Sequence, residues 1–537
     1  MEKEIKYFQV VPDPERVSEG LRDTGYQFPT AVADIIDNSI SASATEIEML
    51  ASMDMGGEIM LAVLDNGCGM NREDLINAMR YGSKRRADPA SLGKFGLGLK
   101  TASTAFCRRL SVITRSDAGM VPLKATWDLN HISKTRAWEL EIGATSPEEL
   151  ALFDRVAPDQ PGTIVIWEKV DRLVSDYANP GGGPARKALD KYVDQLTKHC
   201  AMVYQRFLDH GDKRARDITL RMNGRQVDPW DPFCPTETKK PVLEATQKVA
   251  VGAKHEAAYS VRAFILPRKD EFKDAGLART ARLSNHYQGI YVYRENRMIH
   301  GPDWMGMFRK EPHLSLLRVE FSFDHKLDEA FHIDIKKSQI ILNEAIFEWL
   351  ENFLAAPRRE AEQRYRHGAA AEVAGASALL HAASNNAIHA MADALKTANV
   401  ESVDGKTGEV TIVNRHGPAR LKLKIIESTR PGELHVQPAD GLDEGILWEP
   451  ALIDGNQAVR INTRHPYYSK VYLPNRKSGV TIQGLDSLMW ALCEAELGTV
   501  SDATKRYFEE LRFEVSRLLR RLVEDLPEPD LTENEHE

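Results

Sequence analysis

The chain has 537 residues, 42% apolar and 28% charged, with a formal charge of −9 at pH 7; it is too long for one hydrophobic core, so about three domains are expected, and too acidic for a general nucleic-acid coat, although a local basic groove is not excluded. The five cysteines (Cys68, Cys107, Cys200, Cys234, Cys493) are scattered without CxxC spacing, which gives neither a disulfide framework nor a structural zinc site. No run approaches the roughly 20 apolar residues of a membrane span, and MEKEIKYFQVV lacks a signal-peptide core, so a cytoplasmic protein without a membrane partner is expected.

Residues 1–24 are charged and weakly patterned and read as an arm. Pro29 opens a helix in which Val32, Ile35, Ile36 and Ile40 make an apolar stripe, while Asp34, Asn38 and Ser41 share a polar one. Residues 45–51 and 58–64 read as a hairpin turned at Asp54-Met55-Gly56-Gly57. Its second strand runs into Asp65-Asn66-Gly67-Cys68-Gly69-Met70. A helix over 71–80 and a polar loop over 82–92 precede GKFGLGLKTAS, which opens another helix. Strands follow at 109–115, 121–128, 136–142 and 163–168, then a Pro/Gly break at 180–184, a long helix near 185–209, and a strand and turn in DITLRMNGRQVDPWDPF.

Antiparallel strands with helices gathered on one side predict an α+β two-layer sandwich. A second mixed domain spans about 240–360, with strands near 258–265, 288–299 and 315–323 and a helix over 343–355. The Ala-rich stretch 368–397 reads as helix. Strands at 409–413, 420–426 and 457–462 and helices at 484–496 and 501–524 complete a mixed α/β C-terminal region.

Three segments carry chemistry. In DIIDN, the Asn38 amide oxygen is a hard donor suited to Mg²⁺, which keeps several waters and binds substrate phosphates. One turn earlier, the Asp34 carboxylate can orient or deprotonate a water. In DNGCGM, Asp65 at a strand end can accept a hydrogen bond from an exocyclic amine such as adenine N6, and Gly67 and Gly69 allow close approach to a flat base. In Gly93-x-x-Gly96-x-Gly98, followed by Lys100, glycines at a helix start offer backbone N–H groups to phosphate. The spacing is neither a Walker A loop nor a Rossmann loop. Each segment alone also fits a plain structural reading: a solvated helix face, an Asx-Gly turn, a flexible loop.

Taken in order, DIIDN, DNGCGM, GKFGLGLK and the Gly162-Thr163 pair opening GTIVIWE resemble the four boxes of the GHKL ATPases, the superfamily of gyrase B, Hsp90, bacterial histidine kinases and MutL. The resemblance covers about residues 25–170. YGSKRR and FGLGLKTAS are most similar to MORC proteins and their bacterial relatives, and YRENRMIHG with FHIDIKKSQI looks like the S5-type transducer domain that follows in such proteins.

The resemblance implies a Bergerat-type ATP-binding domain over 25–238, an S5-like transducer over 239–365 and a C-terminal region of unassigned role over 366–537. It implies Asp34 as general base, Asn38 as Mg²⁺ ligand and Asp65 as adenine reader, with Gly67, Gly69 and Met70 beside the base. Gly93, Lys94, Gly96, Leu97, Gly98, Leu99 and Lys100 would hold the phosphates, Thr163 would support Asp65 through its hydroxyl and a water, and Lys337 (with Lys336 as its rival) would reach the γ-phosphate. Many hydrolysing members carry Glu where this chain has Asp34, which implies slow turnover; Asp37 is a rival base.

The implied cofactors are ATP and Mg²⁺. The implied behaviour is ATP-gated homodimerisation of a clamp acting on DNA, including bacterial antiviral defence, with a partner protein at the C-terminal region. An Hsp90-like chaperone and a non-hydrolysing scaffold are the alternatives. The basic run Lys84-Arg85-Arg86, in the loop expected to close over nucleotide, could neutralise phosphate, contact DNA or be solvated; 213–216, His300, His465, Tyr467 and Tyr468 read as solvated or structural rather than as sites.

Overall fold

The computed structural model describes residues 8, 12–83, 88–92, 98–174, 177, 179–251, 255–328, 331, 342, 344–405, 407–428, 432–442, 445–524 and 526. Two compact units divide the chain. Unit 1 takes Met1–Arg282, His286–Arg309 and Leu317–Arg358; unit 2 takes Leu283–Asn285, Lys310–Leu316 and Arg359–Glu537. The chain is α+β throughout.

Unit 1 begins with structure where the sequence reads as an arm. Helix α1 (Pro14–Arg22) is N-capped by Asp13, whose side chain accepts from the Arg16 amide. Its last residue, Arg22, is buried, donates to the Thr104 carbonyl and pairs with Asp171. A guanidinium is removed from water only where acceptors replace the water, and these two do so.

Helix α2 (Phe28–Ser41) starts on Pro29, whose fixed φ and missing N–H suit the first turn, and buries Val32, Ile35, Ile36 and Ile40. It lies across a sheet built from β1 (Glu46–Met53), β2 (Ile59–Asp65), β3 (Cys107–Arg115), β4 (Leu123–Asp128), β5 (Glu141–Gly143), β6 (Gly162–Val170), β7 (Thr219–Met222) and β8 (Arg225–Gln226), in the order β5-β4-β3-β6-β2-β1-β7-β8. Neighbours are antiparallel except β1 and β7, which are parallel.

Further helices of this unit are α3 (Arg72–Met79), α4 (Gly98–Thr104), α5 (Leu129–Thr135), α6 (Pro147–Phe153) and α7 (Gly183–Val203). Helices α4 and α7 pack on α2. One sheet face buries Ala62, Leu64, Ile113, Ile164 and Ile166 against Phe153, Val156 and Ala157 at the end of α6. At about 1.5–3 kcal/mol per buried large aliphatic side chain, such faces hold the layers together.

Two expectations in this unit are corrected. The strand expected over 136–142 is reduced to Glu141–Gly143, because the chain must first leave helix α5 through a left-handed Arg136. Asp128 caps α5 by accepting from the Asn130 amide, and Arg136 closes it in a left-handed conformation. The single strand expected over 288–299 is a hairpin of β11 (Gly289–Arg294) and β12 (Arg297–Asp303). Its two turn residues, Glu295 and Asn296, both have positive φ (48° and 67°), as tight hairpin turns need.

That hairpin belongs to a second sheet, ordered β12-β11-β13-β10-β9, with β9 (Leu243–Val251), β10 (His255–Ile265) and β13 (Leu317–Phe323); β11 and β13 are parallel. Strand β9 was not anticipated from the sequence. In the 213–216 run, Lys213, Arg214 and Arg216 are exposed as expected, and Arg214 also pairs with Asp212 and the buried Glu320.

Unit 2 holds a three-stranded sheet, β14 (Asn399–Asp404), β15 (Glu409–Asn414) and β16 (Gly417–Lys422). It also holds a four-stranded sheet ordered β17-β19-β20-β18, from β17 (Lys424–Ile426), β18 (Val436–Ala439), β19 (Trp448–Ile453) and β20 (Asn456–Asn462). Helix Gly479–Thr499 packs Met489, Trp490 and Cys493 against Val436, Trp448, Val459 and Ile461. His465 and Tyr468 are buried here: His465 lies 3.1 Å from the Ser516 carbonyl, and the Tyr468 hydroxyl 3.0 Å from His381. Among the described residues, no helix is long and apolar enough to cross a membrane.

Candidate functional site

Strand β2 ends on Asp65. The register sets Asp65 opposite Thr163 of β6 and Thr163 opposite Thr114 of β3, so three polar residues sit at one level across three strands. Asp65 is 6% exposed. The Ser39 hydroxyl of α2 donates to its Oδ2 at 2.7 Å and the Gly67 amide to its Oδ1 at 2.9 Å. Burial pushes the carboxyl up to about 6, against hydrogen bonds from Ser39, Gly67 and the Thr163 backbone that pull it down. The Thr163 hydroxyl lies 3.0 Å from that of Thr114, which donates to the Gly162 carbonyl and accepts from the Met70 amide.

The two glycines after Asp65 are required by space. Gly69 has φ +64°, and a Cβ there would lie 1.9 Å from the Arg115 carbonyl oxygen. At Gly67 a Cβ would meet Ala42 at 2.8 Å and Asp65 Oδ1 at 2.9 Å. The DNGCGM turn therefore lies bare against the end of β3, and its backbone sets the orientation of the Asp65 carboxylate.

Helix α2 carries the other side chains. Asp34 is 4% exposed, and its Oδ2 accepts from the Tyr26 hydroxyl at 3.0 Å. The first residue of α4 lies against it, since a Cβ on Gly98 would sit 3.4 Å from Asp34 Oδ2. Within Ala31–Ile40, Asn38 alone is not buried, so the one amide on this face is also the one that solvent reaches. Asp37 is fully buried and its Oδ1 accepts from the Tyr204 hydroxyl at 2.8 Å and Arg297 Nε at 2.9 Å. The rival base is thus engaged in a buried ion pair.

Lys100 does not extend into an open position. It is 2% exposed, its Nζ donates to the Ala78 carbonyl at the end of α3 at 2.9 Å, and burial lowers it to about 8. Leu99 is half-buried beside it. Gly93, Lys94, Gly96 and Leu97, the run 84–86, and Lys336 and Lys337 lie outside the described residues.

The structure therefore gathers Asp34, Asn38, Asp65, Gly67, Gly69, Met70, Gly98 and Thr163 around α2 and the ends of β2 and β6. Sequence reasoning missed Tyr26, Ser39, Thr114 and the crowding at Gly162, where a Cβ would lie 2.5 Å from the Asp65 carbonyl oxygen. Ser39, adjacent to Asn38 in the same motif, was the one with a local signal.

The site thus combines a buried carboxylate at a strand end, a glycine turn, and a carboxylate and amide one helical turn apart. Residues 26–163 match the family described as histidine kinase-, DNA gyrase B- and HSP90-like ATPase. The chain is 36% identical over 94 residues to ATPase MORC2B of Mus musculus, covering 17% of this chain and 9% of that protein. It is 24% identical over 208 residues to the DNA mismatch repair protein MutL of Shewanella piezotolerans, covering 38% of this chain and 28% of that protein. The N-terminal domain of a DNA repair protein, a solved structure, aligns with TM-score 0.37 and 16% identity over 65% of this chain and 99% of that one.

Proposed function

We propose that the chain is an ATP-dependent conformational switch that binds Mg-ATP and hydrolyses it slowly. The observation that carries this reading is the buried Asp65 carboxylate, held by Ser39 and Gly67 on the same helix–strand frame that presents Asp34 and Asn38. Asp65 accepts the adenine amine, and Gly67, Gly69 and Met70 border the ring. Gly98 and Leu99, with Gly93, Lys94, Gly96 and Leu97, take the phosphates, and Lys337 reaches the terminal one. Lys100 serves this segment by tying α4 to α3.

Asn38 fits Mg²⁺: its hard amide oxygen is partly open to solvent on an otherwise buried stretch of helix, and the ion characteristically leaves room for water and phosphate oxygens. When bound, the ion neutralises phosphate charge. Asp34 orients and deprotonates the attacking water, with Tyr26 fixing its carboxylate. Aspartate is one methylene shorter than the glutamate common in this superfamily, and a misplacement of about 1 Å costs on the order of 10²-fold in rate, hence slow turnover.

The same reading divides the chain into an arm (1–24), an ATP-binding domain (25–238), an S5-like transducer (239–365) and a C-terminal region (366–537). It makes ATP the trigger for homodimerisation, and DNA the substrate of the clamp, in keeping with the named role of the MutL relative. Defence against foreign DNA is the purpose proposed for it. Replacement of Asn38 by Ala tests the site: isothermal titration with a non-hydrolysable ATP analogue should find no Mg²⁺-dependent binding, and undiminished affinity would remove the metal assignment.

A further inference from the structure

Two buried arginines flank the tip of hairpin β11–β12, and each holds a different part of the nucleotide site. Arg297, 3% exposed, directs Nε to Asp37 of α2 at 2.9 Å, and its Nη1 donates to the Met298 carbonyl at 3.0 Å. Asp37 lies between Asp34 and Asn38 on that helix, so holding it fixes both. Arg294, also 3% exposed, pairs with the buried Asp328 at 2.6 and 2.8 Å. Its Nη1 donates to the Ser91 carbonyl at 3.3 Å and its Nη2 to the Pro89 carbonyl at 3.2 Å, in the loop just before the glycine segment.

The tip is itself fastened. The Asn296 side chain donates to the Arg214 carbonyl at 2.7 Å and accepts from Arg206 at 3.1 Å, and Glu295 accepts from the His325 amide at 2.9 Å. A planar guanidinium with five fixed donors can hold a carboxylate through two bonds and two carbonyls at once, four bonds that the three donors of an ammonium cannot reproduce.

We infer that this hairpin positions the site for hydrolysis: Arg297 sets helix α2 through Asp37, and Arg294 sets the loop entering the glycine segment through the carbonyls of Pro89 and Ser91. The base and metal side chains and the loop of Pro89 and Ser91 thereby take their separation from one element of the second sheet, beyond the residues that match the ATPase family. The inference rests on the ATPase reading. Arg294 and Arg297 are positioning residues, acting through groups they hold and not on the substrate.

The test is Arg294→Lys in the full chain, which keeps a cation for Asp328 and loses the bridge to the loop. Two quantities are read: kcat for phosphate release, and the Kd of a Mg²⁺-bound non-hydrolysable ATP analogue by isothermal titration. The inference expects Kd within about threefold of wild type and kcat at least about tenfold lower, the split that marks lost transition-state positioning. Unchanged kcat overturns it. So does a parallel loss of affinity, kcat and thermal midpoint, which would make the residue structural only. Should Arg294→Lys fail to fold, Arg294→Gln with Asp328→Asn, which removes both buried charges together, is read against the same two quantities. A wild-type chain that binds no ATP refutes the nucleotide reading and this inference with it. A wild-type chain that binds and turns over ATP beside an unaffected variant refutes the inference alone.

Discussion

Asp65 carries a pH dependence with a definite sign. Its folded-state value near 6 stands above the ordinary carboxylate value of 3.8, so its contribution to stability is present below about 3.8 and is lost as pH rises through about 6. Holding this buried carboxylate ionised at neutral pH costs on the order of 3 kcal/mol even with the Ser39 and Gly67 hydrogen bonds, and a further amine donor offsets part of that cost. Nucleotide binding should therefore strengthen as pH rises from about 5 to about 7 more in wild type than in Asp65→Asn, whose amide does not titrate. Titration calorimetry of both proteins across that range checks this, using their difference so that protonation of the phosphates cancels. Parallel pH profiles would mean that Asp65 does not read the base.

At the scale of elements, the DNGCGM turn is specified by what it must not carry. Gly69→Ala places a methyl 1.9 Å from the Arg115 carbonyl oxygen at φ +64°, whereas at Gly82 (φ +71°) nothing lies within 4 Å. The second substitution adds only left-handed strain, about 1–2 kcal/mol. The first must also push the turn away from the end of β3, so Gly69→Ala should lose at least about 2 kcal/mol more than Gly82→Ala in urea unfolding. Equal losses would mean that the turn does not press on β3.

What the sequence made legible follows the same logic. The placement of Asp34, Asn38, Asp65, Gly67 and Gly69 was readable because they sit in contiguous motifs, where a helix period or a strand end states the geometry. Thr114 was not, because its place beside Thr163 depends on the register of strands far apart in the chain. The direction of Lys100 was not, because packing against α3 selects its rotamer. The β11–β12 turn escaped because Glu295 and Asn296 take left-handed conformations usually signalled by glycine. Helix α5 was hidden by a segment whose capping residue, Asp128, is also the last residue of a strand.

For the whole molecule, the switch reading ties nucleotide state to assembly. If ATP drives dimerisation and hydrolysis releases it, Asp34→Ala should bind ATP near normally and accumulate as an ATP-bound dimer, because a general base is not needed to hold the substrate. Light scattering on a sizing column with saturating Mg-ATP should find a dimer for this variant and a mixed population for wild type. A monomer in both would leave the site intact and remove the gated dimer. A clamp on DNA should also lose affinity steeply with salt, as phosphate-directed binding does.

The central claim is that this site hydrolyses ATP with Asp34 as its base, and steady-state phosphate release by wild type and Asp34→Ala at saturating Mg-ATP tests it most directly. A base contributes typically about 10²–10⁴-fold, so the account predicts slow but measurable release by wild type and at least about a hundredfold less by the variant. Equal rates in the two proteins, or no release by wild type above the uncatalysed background, would contradict it.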